Sequence, residues 1–452
     1  MSLSPADLAH LLAALVVLLV AVHGVAYVFG RLRQPPVIGE IVGGLLLGPT
    51  VLGQIDPSVV HALFGDNRPT GAPLGALYQL GLLALMFLAG GEVVRGASSE
   101  RERSTVVSIT VAGLVVPLAA GLLVVTAIDT HSLVGPHGST TGFALVFACA
   151  IAVTSVPVIS RIMLDLGILD TPFARIVLGV AVLEDVALYA LLAIILALAQ
   201  ASSGATFGLW ASYGVDSTAL SLAYYVTVAC AFFVVSISLG PRLFRWLTSS
   251  RVGILERYNP TALRLVFLLT LALCCLGLGI NPIFGALVAG MSVSRAAADV
   301  AGERGSHEAW EVLRRFSLAF FVPVYFGLVG VQLDLVRHFD PVFFAWFFLL
   351  ACAAKSASVW AGARLAGESG SSSVDLAVAL NARGGPGIVL ASVTYGAGII
   401  SEDFFTALVV LSILTSQLAG FWLDLKLRTR EPTRAPPEPV PILARVGRSV
   451  EP

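Results

Sequence analysis

Ala152-Val153-Thr154-Ser155-Val156-Pro157 and Val182-Leu183-Glu184-Asp185-Val186, both inside the stretch Phe143 to Leu198, decide how the chain is read. The first phrase interrupts an apolar run with two hydroxyls and a proline. A proline within a membrane helix removes one backbone hydrogen bond and frees a carbonyl, which is tolerated only where protein or water covers the break. The second phrase sets two adjacent carboxyls in the next apolar run. Carboxyls at bilayer depth are costly and rare, and by default they mark an ion or proton path. A broken helix beside a carboxyl pair is how a membrane protein builds a small-cation site.

The composition around these phrases is that of a polytopic membrane protein. Of the 452 residues 57% are hydrophobic and only 12% charged, about half the charge of a soluble domain, and the mean hydropathy is +0.90. Apolar runs of roughly 20 residues, the length that crosses a bilayer, recur from end to end. Hydropathy places about thirteen spans, at 6–29, 36–53, 74–94, 104–128, 141–164, 172–200, 217–247, 261–279, 281–295, 310–333, 340–366, 372–399 and 403–425. The second and ninth are short and glycine-rich. Residues 426–452, rich in proline and arginine, read as a disordered cytoplasmic tail. A formal net charge of -1 argues against a nucleic-acid partner. Cys149, Cys230, Cys274, Cys275 and Cys352 all fall in apolar spans and read as small packing residues, not disulfides or metal ligands. The first span has no basic leading region or evident cleavage site, so it is expected to stay as a helix.

Arginine placement tests the span count. With the N-terminus outside and alternate loops assigned to the cytoplasm, all but four of the 27 basic residues fall on the cytoplasmic side. That asymmetry is what the positive-inside rule predicts, and an even number of spans would spoil it. Arg68 and Arg337 lie outside, while Lys355 and Arg383 lie within apolar spans.

The two halves also echo each other. Gln34-Pro35-Pro36-Val37-Ile38-Gly39-Glu40-Ile41-Val42-Gly43-Gly44 resembles Asn281-Pro282-Ile283-Phe284-Gly285-Ala286-Leu287-Val288-Ala289-Gly290, and Phe87-Leu88-Ala89-Gly90-Gly91-Glu92 resembles Tyr325-Phe326-Gly327-Leu328-Val329-Gly330. The break at Thr154-Ser155-Val156-Pro157 corresponds to Arg383-Gly384-Gly385-Pro386. The chain is therefore expected to be all-α, with two inverted six-helix repeats, a linker helix between them and a discontinuous helix crossing in each. That is the plan of a secondary transporter with its site at the midplane.

These residues resemble the monovalent cation:proton antiporter superfamily, in the branch of bacterial sodium/proton exchangers, glutathione-gated potassium efflux systems and plant cation/proton exchangers. The best-matched pieces are Pro35 to Glu40, Ala152 to Arg161, Phe320 to Phe326, Asn381-Ala382-Arg383-Gly384 and Phe405-Thr406-Ala407-Leu408-Val409. The resemblance covers about residues 30 to 425 and makes 1–425 one antiporter-like transmembrane domain. In it, repeat one is about 1–200, the linker helix 217–247 and repeat two about 261–425. The resemblance implies a homodimer with a scaffold-like dimerisation domain and a mobile core, in the inner membrane. Two positions depart from the family. Glu184-Asp185 stands where Asp-Asp, Asn-Asp or Gln-Asp is usual, and Gly385 follows Arg383-Gly384 where many members carry a glutamate. No counterpart of the large nucleotide-binding domain of the potassium efflux branch is found in the chain.

Asp185 is the expected carrier, because one carboxylate can hold a proton or an alkali cation but hardly both, and competition plus a conformational switch suffices for exchange. The plainer reading is a carboxylate capping a broken helix. Glu184 points about 100° away around the helix and is expected to partner Lys355, the only lysine inside an apolar span. By resemblance an equivalent lysine pairs with the first carboxyl position in electrogenic exchangers; a purely structural salt bridge is the alternative. Thr154 and Ser155, with the carbonyls freed around Val153, would supply the hard neutral oxygens that alkali cations favour, or would simply back-bond to their own helix. Arg383 cannot usefully release its proton and is expected, with Asn381, to neutralise half-helix C-terminal dipoles at the crossing. Glu40 and Glu92 read as capping or interface contacts, and His61, His131, His137, His307 and His338 as solvated loop residues without metal spacing. The function expected is exchange of Na⁺ or K⁺ for H⁺, with no cofactor and no enzymatic step. Export of an organic ion or ionophore, or acid/base chemistry by Glu184 and Asp185 on a lipophilic substrate, are the rival readings, since fold does not fix function.

Overall fold

Hydrocarbon offers no partner to a backbone N–H or C=O, so a spanning segment must pair its own, which an α-helix does within itself. The computed structural model of the chain describes residues 4–32, 34–64, 71–92, 100–166, 168, 171–203, 209–210, 218–249, 254–298 and 304–430. Arg33, Arg68, Arg95, Arg251 and the tail beyond Arg430 lie outside the described residues, as do the side chains of Glu92, Arg161 and His307. Among the described residues there is no strand, and a single isolated bridge joins Val134 to Ile400. Among the described residues eleven helices are long and apolar enough to cross a membrane, and eleven of the expected spans fall on them. The other two fall on the shorter apolar helices Thr140–Ala152 and Pro282–Ala296. His61, expected in a loop, sits in the short helix Pro57–Phe64.

The helices sort into a panel and a bundle. The panel comprises α1 (Pro5–Arg31), α2 (Pro36–Leu47), α3 (Gly71–Glu92), and then α9 (Pro260–Leu278), α10 (Pro282–Ala298) and α12 (Val322–Val331). The bundle comprises α4 (Glu100–Val125), α5 (Thr140–Ala152), α6 (Val156–Asp165), α7 (Pro172–Ser203), α13 (Pro341–Leu365), α14 (Gly370–Ala379), α15 (Gly384–Gly396) and α16 (Glu402–Arg430). Between them α8 (Thr218–Ser249) packs on α7 and on α10. The amphipathic α11 (Arg304–Phe316) leads through a π-helical turn, Ser317–Phe321, into α12.

Local chemistry sets the helix starts. Pro5, Pro260 and Pro341 occupy first-turn positions where a missing N–H costs nothing, and Ser4, Asn259 and Asp340 cap them through their side-chain oxygens. Within the panel, glycine permits backbone contact between helices. A Cβ on Gly44 of α2 would strike the carbonyl of Gly327 in α12, and one on Gly330 would strike that of Ile41. The second contact is built the same way, with Gly90 of α3 against Leu287 and Gly290 of α10 against Phe87. Helices in lipid gain little from hydrophobic association, so such close approach is a main source of their cohesion.

A methyl at this contact has nowhere to go. Gly290→Ala is expected to destabilise the fold by about 1–3 kcal/mol through overpacking, read as a lowered unfolding temperature in detergent. Gly277→Ala, whose added methyl would meet no atom within 4 Å, is expected to leave that temperature unchanged.

Candidate ion-binding site

The site is built where two helices stop in the middle of the bundle. α5 ends at Ala152, Val153 turns into extended backbone, and α6 resumes at Val156. α14 ends at Ala379 and α15 begins at Gly384, whose φ of 32° is a conformation that L side chains rarely adopt. The two breaks touch: a Cβ on Gly384 would collide with Val158 and Ser155, and the Thr154 hydroxyl lies 2.8 Å from the Leu380 carbonyl.

A helix that stops in a dry interior presents its last carbonyls without partners and with a partial negative charge. Here two cations take those of α5. Arg383 donates from Nε to Ala150 (3.1 Å) and from Nη2 to Ile151 (3.1 Å), and Lys355 donates to Ala152 (2.6 Å). Arg383 also reaches the Ala351 carbonyl of α13 and the Asn381 side-chain oxygen, at 2.9 and 2.8 Å. Asn381 in turn donates to the Ser356 hydroxyl at 2.6 Å. Arg383 therefore lies on the last carbonyls of α5, while Asn381 accepts from Arg383 and donates into α13.

Lys355 also meets Glu184, with Nζ 2.8 Å from both carboxylate oxygens, and it donates to the Gly113 carbonyl at 2.9 Å. An ammonium has three protons, and Glu184, Ala152 and Gly113 account for all three. Thr154 points at the same carboxylate, 2.5 Å from its Oε2. Ser155 faces its own helix instead, and its hydroxyl accepts weakly from the Val158 N–H at 3.4 Å. Thr154, Ser155, Glu184, Asp185, Lys355 and Arg383 are all buried. Asp185, 2% exposed, is one position beyond Glu184 on α7, and its charge reaches Lys355. The hollow beside Glu184, lined by Leu114, Leu118, Leu188 and Leu191 among others, is too tight to hold even a water-sized molecule. Gly385, the position where a glutamate is missing, has no atom within 4 Å of where a Cβ would stand.

A sequence profile described as sodium/hydrogen exchanger, transmembrane, matches residues 15–428. The chain belongs to the sodium/hydrogen exchanger family. As a member it is a multi-pass membrane protein and a cation/proton antiporter. The exchanger is 26% identical over 412 residues to the Na⁺/H⁺ antiporter NhaS4 of Synechocystis, covering 90% of this chain and 94% of that protein. It is 28% identical over 397 residues to the Na⁺/H⁺-K⁺ antiporter GerN of Bacillus cereus, with 86% and 89% covered. Its fold matches that of the sodium proton antiporter MjNhaP1 from Methanocaldococcus jannaschii with a TM-score of 0.60 at 17% identity, over 94% of this chain and 98% of the other.

Three features of the exchanger escape a reading of its sequence. Glu40, expected as a capping or interface contact, is 8% exposed, and its Oε2 has no hydrogen-bond partner among the described residues. His338, expected to be solvated, holds its Nδ1 2.7 Å from Asp403 and its Nε2 3.6 Å from Glu402. The third is a group of tyrosines near Asp185. Tyr189 lies one helical turn on from Asp185 and close to Tyr325, and the spacing of four from Asp185 is legible in the sequence. The pairing of Tyr325 with Ser392, 67 positions apart, is not.

Removing Lys355 alone leaves a buried carboxylate uncompensated, which costs about 3–5 kcal/mol. Lys355→Met is therefore expected to lower the unfolding temperature sharply, and Lys355→Met combined with Glu184→Gln to recover most of the loss. Differential scanning measurements on purified protein check both.

Proposed function

We propose that Asp185 carries Na⁺ or K⁺ in one direction and a proton in the other, and that Glu184 and Lys355 modulate it as a pair. The observation that carries this reading is the division of labour between adjacent carboxyls. Glu184 is committed to a lysine and a threonine, while Asp185 is held next to them at the crossing of two broken helices. In this proposal Ser155 and the carbonyls around Val153 serve as neutral ligands, and Thr154 joins them when it releases Glu184. Arg383 and Lys355 keep the α5 terminus neutral.

Thr154 makes a further statement about Glu184. Its hydroxyl has one proton and two acceptors, the Glu184 carboxylate at 2.5 Å and the Leu380 carbonyl at 2.8 Å. Both contacts are satisfied when Glu184 itself holds a proton and donates it to Thr154, which then donates to Leu380. The pair therefore titrates as a unit with Lys355, and it can bias the carrier without touching the ion.

The same proposal includes the larger frame. Residues 1–425 act as a transmembrane domain of thirteen crossings in two inverted repeats, about 1–200 and 261–425, joined by the helix at 217–247. The N-terminus lies outside and the C-terminus in the cytoplasm of a cell's inner membrane, as the arginine distribution favours. The panel is the dimerisation scaffold of a homodimer, and the bundle with its crossing helices is the part that moves. The two reciprocal glycine contacts, α2 on α12 and α3 on α10, support this symmetry, because each pairs a helix of one half with a helix of the other. The driving gradient is that of protons.

Exchange in proteoliposomes, followed by dequenching of a pH-gradient dye on addition of Na⁺, K⁺ or Li⁺, tests the proposal. Asp185→Asn is expected to abolish the signal with every cation while leaving the protein folded. Competition at one carboxyl also fixes the pH dependence, since each bound cation displaces one proton. On the acid side the apparent KM for the cation is expected to rise about tenfold per pH unit, and a KM that stays flat would exclude a single shared site.

A further inference from the structure

Asp185 is buried, so for an ion to reach it something over it must open. Toward the panel its neighbourhood includes a small set of hydroxyls. Tyr325 of α12 donates to the Ser392 hydroxyl of α15 at 3.2 Å, and both residues are buried. Tyr78 of α3 sets its ring 5.0 Å from that of Tyr325, the two planes tilted by 46°. Tyr189 of α7, buried one helical turn on from Asp185, also stands close to Tyr325. Side chains of two panel helices and two bundle helices therefore gather one turn along α7 from Asp185, and the Tyr325–Ser392 bond ties one part to the other. At 3.2 Å it is long for a pair of hydroxyls, whose usual separation is about 2.7–2.8 Å. Such a bond parts at little cost.

The helix that carries Tyr325 is built irregularly just before it. Ser317–Phe321 form a π-helical turn, and Pro323 follows at the start of α12. π-helical turns interrupt the regular bonding ladder and frequently occur at functional sites. The carbonyl of Ala319 within this turn faces the His23 Nε2 of α1 at 3.0 Å. A carbonyl can only accept, so Nε2 carries the proton there. The panel thus holds α12 by a turn that can rewind without breaking a regular helix.

We propose that the hydrogen bond from Tyr325 to Ser392 is a latch between panel and bundle that closes the approach to Asp185. Tyr325 and Ser392 are then positioning residues that set the fraction of exchanger open to ions. This rests on Asp185 as the carrier. Only the open fraction binds the cation, so its apparent affinity is reduced by that fraction.

Removing the latch raises the open fraction and lowers the apparent KM; removing an ion ligand would raise it. The test uses Tyr325→Phe, which deletes one hydroxyl and keeps the ring, Ser392→Ala, and the double variant, in proteoliposomes with Na⁺ and K⁺. Tyr325→Phe is expected to lower KM about two- to fivefold, the equilibrium shift that one neutral hydrogen bond is worth. Ser392→Ala, which removes the acceptor, is expected to lower it to a similar extent. The double variant is expected to match Ser392→Ala alone, since a contact can be broken only once. A KM that rises, stays unchanged, or falls additively in the double variant overturns the latch. Amide hydrogen exchange of the same purified proteins in detergent reads the contact without any transport. Deuterium uptake over 322–331 and 384–396 is expected to rise in all three variants, and unchanged uptake likewise overturns the proposal. If the wild type exchanges no alkali cation, the carrier reading fails, while the uptake measurement still decides the latch.

Discussion

A helix that ends in a low-dielectric interior leaves carbonyls that must find donors, and the rest of this structure follows from how those of α5 are satisfied. Arg383 and Lys355 take the carbonyls of Ala150, Ile151 and Ala152. Two buried cations in turn require acidic and dipolar partners, and Glu184, Asn381 and the Ala351 carbonyl supply them. Burying one of these charges without its partner is costly; burying them together as a network is tolerable. The second break answers the first, since Arg383 and Asn381 lie on the segment between α14 and α15. Neither interrupted helix would be acceptable alone.

This arrangement has a chemical advantage for ion exchange. Because the helix ends are neutralised by fixed groups, a change of charge at Asp185 need not disturb the scaffold around it. The cations that support the crossing are matched to acceptors that do not leave. An ion that arrives and departs can then be balanced locally by a proton, and a preorganised polar shell costs little rearrangement when the charge changes hands.

Much of this was legible from the chain, for reasons that differ by element. Length and hydropathy located the helices because a bilayer imposes both, and proline and glycine located the breaks because few other residues permit them. Lys355, Glu184 and Arg383 stand out because charge inside an apolar span is rare, and a rare group needs a named partner. The tyrosines near Asp185 are not legible in this way, because a tyrosine in an apolar span is ordinary by composition and its partner is set by tertiary packing. Glu40 carried the right signal, an acid in an apolar run, but its nearness to a span end suggested a wet surrounding that the packing of α1 and α12 denies it. The hydroxyl of Thr154 was foreseen as an ion ligand, yet the geometry turns it toward Glu184. Which of two acceptors a hydroxyl chooses cannot be read from spacing.

The glycine contacts of the panel act as a register lock. At α2 on α12 and α3 on α10, carbonyl oxygens fill the places where side chains would stand. A slide of one residue along α10 would bring Ala289 or Met291 to the position of Gly290 and drive a side chain into the backbone of α3. The helices of the panel consequently cannot creep past one another by small steps, as helices separated by leucines can. The panel is thereby held together as one plate.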